Sequence, residues 1–128
     1  MKDNQINYLE TKSGEKFPFI FSLNVMVEIQ NKYGSLDAWK ELIEPKDGKE
    51  PKIDAVLFFF TEAINEGIDI ENENTNGTRK FVTSKKVGRI VTEIGLEEAG
   101  KKLKDAVISA NKDENEEVEN SEENDQKN

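Results

Sequence analysis

Apolar residues alternate with polar ones on both sides of residues 12–15 in this sequence. A spacing of two places side chains on one face of a β-strand, and residues 12–15, Lys-Ser-Gly-Glu, are typical of a tight turn. The alternating positions are Ile6 and Tyr8 before the turn and Phe17, Phe19 and Phe21 after it. We therefore expect a β-hairpin whose three phenylalanine rings share one face and form a wall of the core.

The spacing of apolar residues changes to three and four after Ser22, which predicts α-helices. The Ser22 hydroxyl can cap a first helix that ends at Gly34, and Ser35 begins a second helix that ends before Pro45. The residues expected to face the core are Leu23, Met26, Ile29 and Tyr33 in the first helix and Leu36, Trp39, Leu42 and Ile43 in the second.

The most apolar helix is predicted from about residue 52 to 66, with Gly67 as the residue that closes it. A polar loop should follow from Asp69 to Lys80, with a turn at Asn76-Gly77. The stripe expected to face the core consists of Ile53, Val56, Leu57, Phe60, Ala63 and Ile64.

Two further helices complete the predicted domain. Thr83 or Ser84 caps a fourth helix that ends at Gly95, and a fifth helix runs over residues 96–111. Their inward residues are Val87, Ile90, Val91 and Ile94, then Leu96, Ala99, Leu103, Ala106, Val107 and Ala110. We therefore predict one α+β domain over residues 1–111, in which an N-terminal β-hairpin packs on a small bundle of four to five α-helices.

The composition changes abruptly in residues 112–128. Eight acidic residues against two lysines give this segment a net charge of −6, out of −9 for the whole chain, and Val118 is its only apolar residue. Such a segment buries too little apolar surface to offset its conformational entropy. We predict a disordered acidic tail.

The residue types exclude several kinds of chemistry. The chain has no cysteine and no histidine, which removes disulfides, thiolate metal sites and the commonest general base. Residues 69–74 are acidic but lack the glycine and the closing glutamate of a calcium loop. Glu62 and Glu66 lie one helical turn apart on a face that we expect to be solvated. We therefore predict no catalytic, cofactor or metal site, and a protein that is not an enzyme.

The sequence also carries an expectation about location. The N-terminus has no apolar run that would act as a secretory signal, and the longest apolar stretch, residues 55–60, is too short to span a bilayer. We expect a cytoplasmic protein.

Residues 79–104 carry eight basic and three acidic residues. One interpretation is a helix-turn-helix that binds DNA through the fourth and fifth helices. The interpretation we favour is a solvated face with ion pairs one turn apart, because Gly100 interrupts the helix that would read bases. The expected pairs are Arg89 with Glu93, Glu97 with Lys101 and Glu98 with Lys102.

Phe58 stands out in the third helix. At 100° per residue it points away from the apolar stripe, among Asp54, Glu62 and Asn65, while Phe59 lies at the edge of the stripe. Either another element packs on that side, or Phe58 is an exposed anchor for a partner protein. The candidate partner-binding residues are Phe58, Phe59, Lys85, Lys86 and Arg89.

Three segments resemble the tail assembly chaperones of tailed phages and prophages of Gram-positive bacteria. They are residues 17–24, Phe-Pro-Phe-Ile-Phe-Ser-Leu-Asn, then Glu28 with residues 33–36, Tyr-Gly-Ser-Leu, and residues 87–99, Val-Gly-Arg-Ile-Val-Thr-Glu-Ile-Gly-Leu-Glu-Glu-Ala. In that family a short β-hairpin leads into a helix that ends at a glycine. The resemblance frames residues 1–111, but residues 69–80 do not align.

The resemblance implies a non-enzymatic protein that binds the tape measure protein, tail tube subunits or both, and keeps them soluble during tail assembly. It implies no binding to nucleic acid or membrane, and it leaves open whether the chain forms a homo-oligomer. The alternatives are a helix-turn-helix regulator and a structural head–tail or tail component.

Many chaperones of this family are made in two lengths by ribosomal slippage. Residues 126–128, Gln-Lys-Asn, can be encoded by codons that contain the run of repeated bases that slippage needs.

Overall fold

The computed structural model describes residues 6–110, and it confirms the predicted α+β architecture of a hairpin followed by helices. The predicted tail, residues 112–128, lies outside the described residues. The two antiparallel strands are β1 (Asn7–Glu10) and β2 (Lys16–Phe19), and the helices are α1 (Leu23–Tyr33), α2 (Leu36–Ile43), α3 (Ile53–Thr75), α4 (Ser84–Ile94) and α5 (96–110).

The hairpin closes at the predicted turn, where the Gly14 N–H donates to the Thr11 carbonyl at 2.9 Å and Gly14 adopts a φ of 94°. The predicted burial of all three phenylalanine rings is confirmed, although β2 ends at Phe19 and Phe21 lies beyond it. In β1, the prediction of which side chains face the core was wrong by one residue. Leu9 is fully buried, whereas Tyr8 is exposed and its hydroxyl donates to Glu71 Oε2 at 2.8 Å.

The outer edge of β2 lies against α3. The Ile20 N–H donates to the Ala63 carbonyl at 3.2 Å, and the Pro18 carbonyl faces Gly67. A Cβ placed on Gly67 would lie 2.9 Å from both the carbonyl carbon and the oxygen of Pro18. The prediction that Gly67 closes the helix was therefore wrong. Gly67 instead allows the backbones of β2 and α3 to meet.

The centre of the core is aromatic. Phe59 of α3 is fully buried, stacks on Trp39 at a ring-centroid distance of 5.6 Å, and meets Phe19 and Phe21 edge-on at 6.3 and 5.5 Å. The Trp39 indole N–H donates to the Ala55 carbonyl at 3.2 Å, so the buried donor has a partner. These contacts join the hairpin, α2 and α3.

Serine side chains cap α1 and α2 as predicted. Ser22 Oγ accepts from the Val25 N–H at 3.3 Å, and Ser35 Oγ accepts from the Ala38 N–H at 3.0 Å. The inward stripe of α1 is shifted from the prediction, because Val25 is buried with Ile29 while Leu23 is 71% exposed.

The helix α3 ends nine residues beyond its predicted end at residue 66. It continues through Gly67 to Thr75 and ends at Asn76, which adopts the left-handed conformation with φ 56°. Residues 69–75 are therefore helical rather than a loop. At the other end of α3, the prediction that Ile53 faces the core was also wrong, since its side chain is 52% exposed.

The last two helices follow the prediction closely. The Thr83 hydroxyl caps α4, and Gly95 with φ 102° separates α4 from α5. The inward stripe of α5 is buried except for Leu96, which is 39% exposed. Within residues 6–110, no helix has both the length and the apolar character that crossing a membrane requires.

Candidate partner-binding groove

A surface groove of about 760 Å³ runs along α3 between α1 and α4, and we call it the α3 groove. Its floor is formed by α3 residues Asp54, Leu57, Phe58, Thr61 and Glu62. Its walls are Lys32 of α1 on one side and, on the other, Ser84, Lys85, Gly88, Arg89 and Thr92 of α4. Because α1 and α4 both pack on α3, they leave a strip of α3 open between them.

Two asparagines of α3 hold the chain that leads into α4. Asn65 donates to the Val82 carbonyl at 3.0 Å and accepts from the Val82 N–H at 2.8 Å. Asn72 makes the same pair of bonds with Arg79, at 2.9 and 3.1 Å. The two amides are seven residues apart, so they lie on one face of α3 and fix residues 79–82 along it. This attachment sets where α4 begins, and thus where the groove lies.

Gly88 leaves the α4 wall of the groove without a side chain at its position. It lies inside α4, where glycine is unfavourable by roughly 0.5–1 kcal/mol relative to alanine. Its φ is not positive, and a Cβ there would meet only Leu57 Cδ1, at 3.9 Å. Neither backbone conformation nor crowding requires a glycine at this position. The consequence of having one is that the α4 backbone is accessible from the groove.

Phe58 is half-buried and lies in the floor. The Tyr33 ring of α1 covers one edge of it at a centroid distance of 5.7 Å, and Lys32 Nζ lies 5.2 Å from its centroid. The packing element on this side is therefore α1, while the rest of the ring faces the groove. Its role in binding a partner stays a prediction.

Lys85 and Arg89 lie one turn apart on α4, both exposed, and they line the same wall. The predicted pair of Arg89 with Glu93 does not form; the Glu93 carboxylate accepts the Lys12 N–H instead, at 2.8 Å. None of the ion pairs within residues 6–110 includes Lys32, Lys85 or Arg89. The positive charges of Lys85 and Arg89 are available to an occupant of the groove, while that of Lys32 lies over the Phe58 ring.

The structure removes two of the five sequence-predicted partner-binding residues from this site. Phe59 has no exposed surface, because the hairpin and α2 cover the edge of α3 on which it lies. Lys86 is exposed but lies outside the groove, with Nζ over the Phe17 ring at 5.9 Å from its centroid. Phe58, Lys85 and Arg89 are brought together.

Acidic groups occupy both ends of the floor. Asp54 Oδ2 accepts the Tyr33 hydroxyl at 3.3 Å. Burial raises the pKa of Glu62, and the nearby Glu28 carboxylate raises it further. Glu66, one turn on, accepts from Ser22 Oγ at 2.9 Å and Asn24 Nδ2 at 3.1 Å. The face predicted to be solvated is thus partly covered, and Glu66 has a structural role in anchoring the start of α1.

We expect Tyr33 to titrate well above an ordinary tyrosine. Burial, followed by the Asp54 carboxylate, raises the pKa of Tyr33 from 10.0 to about 12. Because the folded pKa is higher than the unfolded one, the contribution of Tyr33 to stability is complete below pH 10.0 and is lost as the pH rises towards about 12. Ultraviolet titration of Tyr8→Phe, which leaves Tyr33 as the remaining tyrosine, should show this midpoint. A midpoint near 10.0 would contradict the burial of the Tyr33 hydroxyl and its contact with Asp54.

The groove suits a helix that is apolar on one side and acidic beside it. An apolar side chain can cover Leu57 and Phe58, and a carboxylate can meet Lys85 or Arg89. No group of three or more acidic side chains within residues 6–110 is arranged to hold a metal ion.

Sequence reasoning missed the α1 wall and the two asparagines, since isolated polar residues on a helix carry no signal of a tertiary contact.

Comparisons of the chain with models of protein families, with curated proteins and with solved structures find no match. The features that point to a function are therefore the residues of the α3 groove and the sequence segments whose resemblance is described above.

Proposed function

We propose that this protein is a non-enzymatic tail assembly chaperone of a tailed phage or prophage. It binds the tape measure protein, or tail tube subunits, in the cytoplasm of a bacterial host and keeps them soluble until assembly. The α3 groove is its binding site.

The observation that carries the proposal is the meeting of Phe58, Lys85 and Arg89 in one groove. An aromatic ring in a concave site is the usual anchor of a protein interface, and unpaired arginine and lysine beside it give orientation and speed of association. A tape measure protein is a long helical protein. One of its helices, laid along α3 between α1 and α4, would bury its apolar face on Phe58.

The segments that resemble the chaperone family support the proposal separately from the geometry of the groove. Residues 17–24 form β2 and the start of α1, and residues 33–36 form the glycine-ended junction of α1 with α2. Residues 87–99 include Gly88 and Arg89 of the groove wall. The resemblance thus covers the hairpin, its exit into a helix and part of the proposed site.

We expect Phe58→Ala to weaken binding of the tape measure protein by about 1–3 kcal/mol, as truncation of an interface anchor does. The measurement is the affinity for the tape measure protein encoded beside this chain, together with the soluble yield of that protein on co-production. Phe81→Ala is the matched control, because Phe81 is a 60% exposed phenylalanine that does not line the groove. Equal affinities of the two variants would reject the groove as the site.

A charge reversal provides an independent test of the same wall. Lys85→Glu should weaken binding and slow association, whereas Lys86→Glu, the same change one residue along, should have a much smaller effect because Lys86 faces Phe17. If both variants lose affinity equally, the general charge of α4 is responsible rather than the groove.

The two alternative functions predict different results. A helix-turn-helix regulator would bind duplex DNA, with an affinity that falls steeply as salt is added. A structural head–tail or tail component would be found in purified particles, from which a chaperone is absent. Either result would replace the proposal.

A further inference from the structure

The α3 groove places a half-buried aromatic ring beside cations that have no carboxylate partner. Lys85 and Arg89 lie one turn apart on the α4 wall, and no ion pair within residues 6–110 includes either of them. The Phe58 ring lies in the floor between that wall and α1. A segment that fills the groove must therefore bring an apolar side chain with carboxylates next to it.

The same chain contains a segment of this kind. Beyond residue 110 the sequence has a single apolar residue, Val118, which stands between Glu117 and Glu119, with Glu116 one position earlier. We call residues 116–119 the valine segment. It offers one apolar side chain and three carboxylates to a site with one accessible ring and two free cations. The segment and the groove therefore match in both apolar content and charge.

The valine segment is close enough in sequence to reach the groove. The described part of α5 extends to residue 110, eight residues before Val118. Eight extended residues span up to roughly 26–29 Å. A domain of about 100 residues has a radius of gyration of about 13 Å, so this reach is comparable to its width. Because the segment and the groove belong to one chain, their effective concentration is high and a weak contact suffices.

A second pocket, of about 620 Å³ between α5, α2 and the start of α3, suits an acidic segment less well. Of the charged residues that border it, Lys104 already pairs with Glu44 at 3.4 Å. Glu97 borders it as well, and the ion pair predicted between Glu97 and Lys101 does not form within the described chain. In the α3 groove the acidic residues lie in the floor, and the α4 wall has none. That wall is the better site for three carboxylates.

We propose that the valine segment occupies the α3 groove of its own chain, with Val118 over the Phe58 ring and its carboxylates along Lys85 and Arg89. The segment then covers the accessible part of the ring until another molecule displaces it. Any other occupant of the groove has to compete with the segment, which lowers the apparent affinity of that occupant. The contact involves this chain alone, so it holds or fails independently of the proposed function.

Paramagnetic relaxation enhancement, measured by NMR on the full chain, tests the contact directly. The chain has no cysteine, so Ser121→Cys provides a single site for a nitroxide label three residues after Val118. The label should broaden the amide signals of Lys85, Gly88 and Arg89, and added salt should weaken the effect because it screens the ion pairs. Val118→Ser in the labelled chain should remove most of the broadening.

Charge reversals in the labelled chain provide the matched control. Lys85→Glu/Arg89→Glu should abolish the broadening at Gly88, whereas Lys86→Glu/Lys101→Glu, the same change of charge at two exposed lysines outside the groove, should keep it. A mixture of spin-labelled chains with isotope-enriched chains that carry no label should show no broadening. Equal losses in the two double variants would overturn the proposal, as would broadening centred on Lys101, broadening in the mixture, or a groove whose signals stay sharp.

Discussion

Phe59→Ala should lower the free energy of unfolding by about 3–5 kcal/mol, the range for truncating a fully buried aromatic residue. The ring has no exposed surface and lies between the hairpin, α2 and α3, where it touches Trp39, Phe19 and Phe21. Removing it takes away both the apolar burial and the edge-on ring contacts, and it leaves a cavity that rigid neighbours cannot fill.

Urea denaturation followed by far-ultraviolet circular dichroism measures the loss directly. Phe58→Ala is the matched control, because Phe58 is the neighbouring phenylalanine of the same helix and is only half-buried. It should lose clearly less stability. A smaller loss for Phe59→Ala than for Phe58→Ala would mean that the two rings have exchanged their places between core and groove.

The contrast between these two rings shows where sequence reasoning works on α3. Helical spacing correctly places Phe58 off the main apolar stripe, because the rotation of 100° per residue alone determines which side of the helix a residue occupies. It cannot show that β2 and α2 cover one flank of the stripe, and this covering buries Phe59. It equally cannot show that no element covers Ile53 at the start of the helix, which leaves that side chain exposed.

The prediction for the end of α3 was wrong for a different reason. Residues 69–75 are polar and follow a glycine, which in isolation is typical of a helix end and a loop. Contacts distant in sequence favour the helix instead. Ile68 is buried, Glu71 accepts the Tyr8 hydroxyl, and Asn72 binds the backbone of Arg79. A pattern read along the chain contains none of these partners.

The α3 groove was partly predictable. Lys85 and Arg89 are one turn apart in a predicted helix, so their common face follows from spacing alone. The approach of that face to Phe58 depends on Asn65 holding Val82, a contact across 17 residues. Lys85 and Lys86 are neighbours in sequence, yet only Lys85 lines the groove, because adjacent residues on a helix point about 100° apart.

Gly67→Ala should destabilise the protein by about 1–3 kcal/mol, even though alanine is the better helix former. A Cβ at this position lies 2.9 Å from the Pro18 carbonyl carbon and oxygen, which are backbone atoms and cannot rotate away. Relief requires β2 to move off α3, which strains the hydrogen bond from the Ile20 N–H to the Ala63 carbonyl.

Thermal unfolding of Gly67→Ala beside Gly88→Ala separates crowding from helix propensity. Gly88 is also inside a helix, but its Cβ would meet only Leu57 Cδ1, at 3.9 Å, so Gly88→Ala should gain about 0.5–1 kcal/mol. The two variants should therefore shift the melting temperature in opposite directions. If Gly67→Ala is as stable as wild type or more so, the backbones of β2 and α3 do not meet at this residue, and Gly67 has another reason to be glycine.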